Sequence, residues 1–221
     1  MRAARETSPL FLFGKQEMLT LHNMQMSGNC YKVRLVARQL NIPLRLVDYP
    51  VGSGKTRTPE FLAKNPNGRV PLLELEDGRC LAESNAITSY LARDSALIPR
   101  DPWAQAKMLQ WMFFEQYSHE PYIAVARYWL REAPKQEFEK KRHLVPEWHE
   151  KGNAALAVMD QYLSQQNWFA GDSYSLADIA LYGYTHVADE GGFELSSYPS
   201  VCAWLKRVAA QPGYIPLNES W

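Results

Sequence analysis

Residues 65–87 read NPNGRVPLLELEDGRCLAESNAI. The stretch opens on a strong turn signal and continues into an apolar run, 70–75, which predicts a strand with a proline near its start. Asp77 and Gly78 are typical of a tight hairpin turn, so the apolar residues after them should form an antiparallel partner strand. Ser84 is a favourable N-cap for a helix that follows. The stretch therefore predicts two paired strands and then a helix.

The residues before this stretch alternate between strand and helix patterns. A short strand is predicted at 19–22, a helix from about 30 to 40 with its apolar residues on one stripe, and a second strand at 44–47. A short helix at about 59–64 precedes the turn. Residues 18–95 therefore predict a small α/β domain in the order β-α-β-(α)-β-β-α.

The pattern changes after a proline-rich segment, which we interpret as a linker covering residues 96–102. The remainder, 103–221, lacks strand patterns and is predicted to be all-helical. The predicted helices cover 103–131, 135–165, 175–188 and 199–210. The fold class is thus an α/β N-terminal domain joined to an all-α C-terminal domain.

The first 17 residues fit neither domain. Their apolar run, 10–13, is too short for a signal peptide, and no small-residue cleavage site follows it. Met18 stands directly before the first credible strand. We therefore expect residues 1–17 to be an N-terminal extension with little order.

Composition excludes several classes of protein. The chain has 24 basic and 24 acidic residues, and this balance argues against a nucleic-acid partner. No apolar run approaches the roughly 20 residues of a membrane span. Cys30, Cys80 and Cys202 are far apart and odd in number, which favours a reducing, cytoplasmic location. They offer neither a metal site nor a Cys-x-x-Cys redox centre.

Ser27 is the first candidate for chemistry, because it lies at the predicted turn from strand to helix. The N-terminus of a helix presents unpaired N–H groups and a partial positive charge, which stabilise a thiolate. The Ser27 hydroxyl can donate a hydrogen bond to that sulfur. Taken alone, however, the residue is better explained as a simple helix cap.

Two further positions suit binding of a peptide. A cis bond between Val70 and Pro71 would turn the Val70 backbone outward to pair with an extended peptide, although a trans proline at a strand edge is the commoner case. Ser84 opens a helix able to hold a carboxylate, and Glu83 beside it offers a partner for an ammonium group. Alternatively, Ser84 is only an N-cap and Glu83 a solvated charge.

In combination these motifs resemble the cytosolic glutathione transferase family over roughly residues 18–215. They are Ser27 at the first turn, residues 65–71, residues 83–87, and the later pair FAGD at 169–172 and SLAD at 175–178. The chain looks like a serine-type bacterial member similar to the theta, zeta and phi classes. The resemblance implies a thioredoxin-like first domain, a helical second domain and a homodimer.

The resemblance also implies roles for individual residues. Ser27 matches the serine that holds the glutathione thiolate, Val70 the residue whose backbone pairs with the cysteinyl unit, and Pro71 the cis proline. Glu83 and Ser84 match the residues that bind the γ-glutamyl end. The resemblance also offers three cations for the glycyl carboxylate, namely Lys55, Arg57 and Arg69. Cys30 is interpreted as a packing residue and not as a mixed-disulfide cysteine, because the family's reactive cysteine occupies the position of Ser27.

The second substrate is expected to lie on the helical domain, where residues 111–119 are strongly aromatic. The candidate pocket residues are Trp111, Phe114, Tyr117, Ser118 and Tyr122. Aromatic helices also form cores and dimer interfaces, so both interpretations stay open.

The function that follows is conjugation of glutathione, as co-substrate, to a small hydrophobic electrophile, with no metal. Peroxidase, isomerase and dehalogenase activities are variants that these residues do not separate. A non-catalytic ligand-binding or regulatory module is the alternative. A thioredoxin-type oxidoreductase is disfavoured because no Cys-x-x-Cys pair is present.

Overall fold

A computed structural model of the chain describes residues 18–219 and 221. The expectation for residues 1–17 lies outside the described residues. The N-terminal half is built on a four-stranded mixed sheet in the order β2-β1-β3-β4, with β1 parallel to β2 and the other neighbours antiparallel. Its strands are β1 (Leu19–Asn23), β2 (Leu44–Asp48), β3 (Leu72–Glu74) and β4 (Cys80–Ala82).

The helices of this half are α1 (Gly28–Gln39), α2 (Pro59–Lys64) and α3 (Ser84–Ala92). Helix α1 starts two residues earlier than the sequence predicts, because Ser27 caps it. Its residues are buried almost all round, including Lys32 and Arg34. Burial on every side follows from its position, since α1 contacts both α3 and the second half of the chain.

The second half is helical, which confirms the predicted fold class of an α/β domain followed by an all-α domain. Its helices are α4 (Pro102–Phe114), α5 (Glu120–Arg127), α6 (Lys135–Lys141), α7 (Val145–Leu163), α8 (Leu176–Thr185) and α9 (Pro199–Ala209). The first two helices expected from the sequence are each divided, because prolines interrupt the ladder of backbone hydrogen bonds.

The break between α4 and α5 is a π-helical turn at Glu115–His119. Pro121 lacks an N–H, and its ring would clash with the carbonyl four residues before it. The backbone widens there into the i→i+5 pattern, which occurs often at functional sites. A second π-turn, Tyr128–Glu132, ends just before Pro134.

The two halves are joined by buried polar contacts. The Lys32 ammonium on α1 lies 2.7 Å from Oε1 of Glu115, and both side chains are fully buried. Arg34 donates to the carbonyl of Leu217 at 2.9 Å, which ties the C-terminal segment to α1. No helix among residues 18–219 is long and apolar enough to cross a membrane.

Candidate glutathione site

Ser27 lies at the start of α1, four residues beyond the end of β1. Its N–H donates to the carbonyl of Met24 at 3.0 Å, which closes the turn, and its Oγ accepts a bond from the Cys30 N–H at 3.3 Å. The first turn of α1 contains no acidic residue. The helix end therefore keeps its partial positive charge beside the Ser27 hydroxyl.

Cys30 lies directly beneath this turn and is fully buried. Burial raises the pKa of its thiol to about 11, even though the Met24 N–H and the Ser27 side chain favour the thiolate. A thiol with so high a pKa is neutral near pH 7 and reacts poorly. The geometry fits a packing role for Cys30.

Three residues that the sequence did not single out surround Ser27. The Asn29 amide nitrogen lies 3.4 Å from Oε1 of Glu120, and Asn29 Oδ1 accepts from Lys32 Nζ at 2.8 Å. Burial, followed by the charge of Glu115, raises the pKa of Glu120. Tyr184 from α8 lies against Gly28. Little in the sequence indicated these residues, because only Asn29 lies near Ser27 along the chain.

The Val70–Pro71 peptide bond is cis and directly precedes β3. Asn65 fixes the approach to it by donating to the carbonyl of Arg69 at 2.8 Å. Arg57 holds the same turn, because its Nη1 donates to the carbonyl of Asn67 at 2.9 Å. Arg57 is therefore engaged with the protein's own backbone.

The other two cations assigned to the glycyl carboxylate are exposed. The charge of Arg69 acts against the overall rise in the pKa of Glu120. Lys55 lies in a short 3-10 turn, Lys55–Arg57, ahead of α2.

Glu83 and Ser84 lie where α3 begins. Glu83 has a φ of 69°, a left-handed conformation that a residue other than glycine rarely adopts and that clusters at ligand sites. The Ser84 hydroxyl donates to Asn29 Oδ1 at 3.2 Å. The structure thus brings the start of α3 against the first turn of α1, two residues after Ser27.

The five predicted pocket residues do not share one wall. Trp111 is only 4% exposed and packs its ring 4.6 Å from that of Phe169, in the core of the helical half. Phe114 packs edge-on against Trp111, and Tyr122 lies against Lys151 of α7. Trp111 is therefore part of this core, and its place in a substrate pocket stays a prediction.

Tyr117 is different, since it is 84% exposed. Phe113, which the sequence did not single out, is 72% exposed, and the spacing of Phe113, Tyr117 and Glu120 is i, i+4, i+7. These two aromatic rings are therefore open to solvent along the segment that joins α4 to α5. Ser118 is half-buried beside them.

Comparison with known proteins adds to this geometry. Residues 17–93 match "Glutathione S-transferase, N-terminal domain" and residues 106–212 match "Glutathione S-transferase, C-terminal domain". A glutathione S-transferase from Pseudomonas fluorescens Pf-5 is 47% identical, with a TM-score of 0.87 and coverage of 91% of this chain and 100% of that one. A possible glutathione S-transferase from Rhodopseudomonas palustris is 49% identical, with a TM-score of 0.88 and coverage of 91% and 90%. Ure2p in complex with glutathione is 25% identical, with a TM-score of 0.78 and coverage of 90% and 96%.

Fold and site together define a protein with a thioredoxin-like α/β domain followed by an all-helical domain, and with polar groups gathered at the start of its first helix. The chain belongs to the glutathione S-transferase family. Among residues 18–219 and 221, no group of three or more acidic, histidine or cysteine side chains is arranged to hold a metal ion.

Proposed function

We propose that this protein is a serine-type glutathione transferase, in which Ser27 holds the glutathione sulfur as a thiolate for attack on small electrophiles. The observation that carries the proposal is the environment of Ser27. Its Oγ accepts from the Cys30 N–H, so its own proton remains available to a thiolate at the positive end of α1. Hydrogen bonding to the charged form lowers a thiol pKa.

The rest of the tripeptide is assigned around that sulfur. The Val70 backbone before the cis Pro71 pairs with the cysteinyl unit, and Glu83 and Ser84 hold the γ-glutamyl end. Arg69 is the preferred partner for the glycyl carboxylate, because Arg57 already bonds to the Asn67 carbonyl. Lys55 is exposed and remains a second choice.

The electrophile is placed on the exposed rings of Phe113 and Tyr117, with Ser118 at their edge. The exposed Phe113 and Tyr117 rings offer an apolar surface to such a molecule. Trp111, Phe114 and Tyr122 then support this face from the core side.

A homodimer is part of the proposal. Trp103 and Leu109 on α4 are 75% and 44% exposed, and exposed apolar side chains on one helix mark interaction sites. Light scattering should give twice the chain mass, and replacement of Trp103 by Glu should shift it towards the monomer. A cytoplasmic location is proposed from the three cysteines, none of which is in a disulfide.

The test compares wild type with Ser27→Ala, using Ser53→Ala in an exposed loop as a matched control. Glutathione binding is measured by calorimetry and turnover with a halide, a hydroperoxide and an enone. We expect Ser27→Ala to bind glutathione but to lose roughly ten- to hundred-fold in turnover near neutral pH. Equal turnover by Ser27→Ala and wild type would refute the role of Ser27. Glutathione binding without turnover on any of the three would favour the non-catalytic module.

A further inference from the structure

The peptide unit that joins Met26 to Ser27 is held at both of its ends. Its N–H, which belongs to Ser27, donates to the carbonyl of Met24 at 3.0 Å. Its carbonyl, which belongs to Met26, accepts from Nη1 of Arg127 at 2.9 Å. Because a peptide unit is planar, hydrogen bonds at both ends fix the orientation of the whole plane. Arg127 therefore helps to set the backbone from which the Ser27 side chain extends.

Helix α5 reaches the Ser27 turn through its first and its last residue, Glu120 and Arg127. Residues seven apart lie on the same face of a helix, so both side chains project from one side of α5. The Asn29 amide nitrogen lies 3.4 Å from Oε1 of Glu120, two residues after Ser27 in the chain. Arg127 bonds to Met26, one residue before it. The helical half of the protein therefore contacts this turn on both sides of Ser27.

The Arg127 guanidinium is itself held in place. The side chain is buried, and its Nε donates to Oε2 of Glu190 at 2.6 Å. The other carboxylate oxygen of Glu190 lies 2.6 Å from Nη1 of Arg131. The Arg127 backbone packs closely on Gly191, where a Cβ atom would lie 3.0 Å from the Arg127 nitrogen. Since a guanidinium is planar and its N–H groups have fixed directions, the bond to Glu190 determines where Nη1 points.

We propose that Arg127 is a positioning residue of the sulfur site, which fixes the peptide unit before Ser27 and so directs the Ser27 hydroxyl to the glutathione thiolate. This inference rests on the proposed function of Ser27. Arg127 acts through geometry more than through its charge, because the Glu190 carboxylate at 2.6 Å compensates that charge. Hydrogen bonds weaken steeply as their angle closes, so a tilted Ser27 would stabilise the thiolate less.

The charged and titratable groups near Arg127 come from three elements. Glu190 and Arg131 form an ion pair with each other. Burial, helped by the charge of Arg127, lowers the pKa of His186 to about 4, so this ring is uncharged near pH 7. Burial raises the pKa of Cys30, beneath the Ser27 turn, to about 11. A thiol that titrates near neutral pH in the complex with glutathione is therefore neither His186 nor Cys30.

The test uses two variants of Arg127. Arg127→Met removes the bond to the Met26 carbonyl together with the charge. Arg127→Lys keeps the charge near Glu190, but a lysine ammonium ends where the guanidinium carbon of Arg127 lies, one bond short of Nη1. Arg131→Met is the matched control, because Arg131 binds the same carboxylate from a more exposed position. The readouts are the ultraviolet absorbance of the bound thiolate as a function of pH and the pH profile of kcat/KM.

For both Arg127 variants we expect the pKa of the bound thiol to rise by about half to one unit, with about a three- to ten-fold loss of kcat/KM at pH 7 that recovers at higher pH. Arg131→Met should titrate like wild type. If Arg127→Met does not fold, Arg127→Lys decides the question, since it keeps Glu190 paired. A wild-type titration in Arg127→Lys would overturn the inference. An equal shift in Arg131→Met would overturn it too, because the Met26 carbonyl keeps its donor there.

A double-mutant cycle separates positioning from a direct effect of the cation or a general loosening of the fold. If Arg127 acts through Ser27, Arg127→Lys should have no further effect on the thiol pKa in the Ser27→Ala background. An equal effect in both backgrounds would contradict the inference. The two proposals fail differently: a thiol titration that Ser27→Ala leaves unchanged contradicts the function of Ser27. A titration that depends on Ser27 but is unchanged in Arg127→Lys contradicts only the role of Arg127.

Discussion

The Ser84 hydroxyl donates to Oδ1 of Asn29 across 3.2 Å and so joins the start of α3 to the first turn of α1. The same oxygen accepts from Lys32 Nζ, whose other partner is Glu115. The residue proposed for the γ-glutamyl end is therefore hydrogen-bonded to the first turn of α1, whose N-cap is Ser27. A substitution at the γ-glutamyl end should therefore leave the sulfur site unaffected only if Asn29 keeps its hydrogen bonds.

Replacement of Ser84 by Ala should weaken glutathione binding with little effect on the chemical step. The change removes the hydroxyl proposed to hold a carboxylate but leaves Asn29 bound to Lys32 and Glu120. We expect KM for glutathione to rise about five- to ten-fold while kcat stays within about two-fold. Ser89→Ala, on the same helix, is the control, since Ser89 donates to the carbonyl of Asn85. A fall in kcat at constant KM would contradict the assignment of Ser84.

Glu120→Gln should make the glutathione thiol more acidic. Glu120 lies beside Asn29, and a negative charge near a thiolate disfavours the thiolate. Removal of that charge should lower the pKa of the bound thiol, so the pH profile of kcat/KM should move towards acid, by about half a pH unit. Glu150→Gln, an exposed residue on α7, should leave the profile unchanged. A shift towards alkaline pH would show that Glu120 acts in another way.

The fold was largely predictable because its signals are local. The NPNG turn, the Asp77–Gly78 hairpin and the capping residue Ser27 each specify a short segment, and the structure has β3, β4 and α1 there. The π-turns were missed because periodicity alone does not reveal how a proline reshapes the turn before it. The effect of Pro121 on residues 115–119 depends on which backbone groups find new partners.

Only the site residues that a single short segment of sequence identifies were predictable. Ser27, Pro71 and Ser84 stand at turns and helix starts, where residue type alone suggests a function. Packing between α1, α5 and α8 brings together Asn29, Glu120 and Tyr184. Glu120 and Tyr184 lie about 90 and 150 residues after Asn29 along the chain. The structure shows why Gly28 permits that close approach, since a Cβ atom there would lie 2.8 Å from the Tyr184 ring.

Removing Lys32 from its buried pair with Glu115 should destabilise the fold more than removing both charges together. Lys32→Met leaves the Glu115 carboxylate buried without its cation, and we expect the free energy of unfolding to fall by about 3–5 kcal/mol. Adding Glu115→Gln removes the charge but keeps an oxygen for the Asn85 and Gln116 amides. The double variant should therefore be more stable than Lys32→Met in urea unfolding.

The surface pair of Lys151 and Glu147 is the control for that comparison, because both side chains are about half exposed. Lys151→Met should change the free energy of unfolding by no more than about 1 kcal/mol. If Lys32→Met proves as mild as Lys151→Met, the buried pair does not hold the two halves together.

Asp178 should make stability depend on pH between about 4 and 6. Burial raises the pKa of its carboxyl to about 6, despite bonds from Trp204, Ser175 and Phe169. Because the folded pKa lies above the unfolded value of about 4, folding favours the protonated form. The stability that Asp178 contributes in this way is complete below about pH 4 and is lost as the pH rises through about 6.

The measurement is urea unfolding of wild type and Asp178→Asn across this range, since the difference between the two cancels the titration of other groups. The difference in unfolding free energy should become less favourable to wild type as the pH rises from about 4 to about 6, and should be constant above it. Asp172→Asn, at an exposed position, should track wild type throughout. A difference that grows in favour of wild type over the same interval would mean that the charged carboxylate is the stabilising form, held by the Trp204 indole at 2.9 Å and the Ser175 N–H at 3.0 Å.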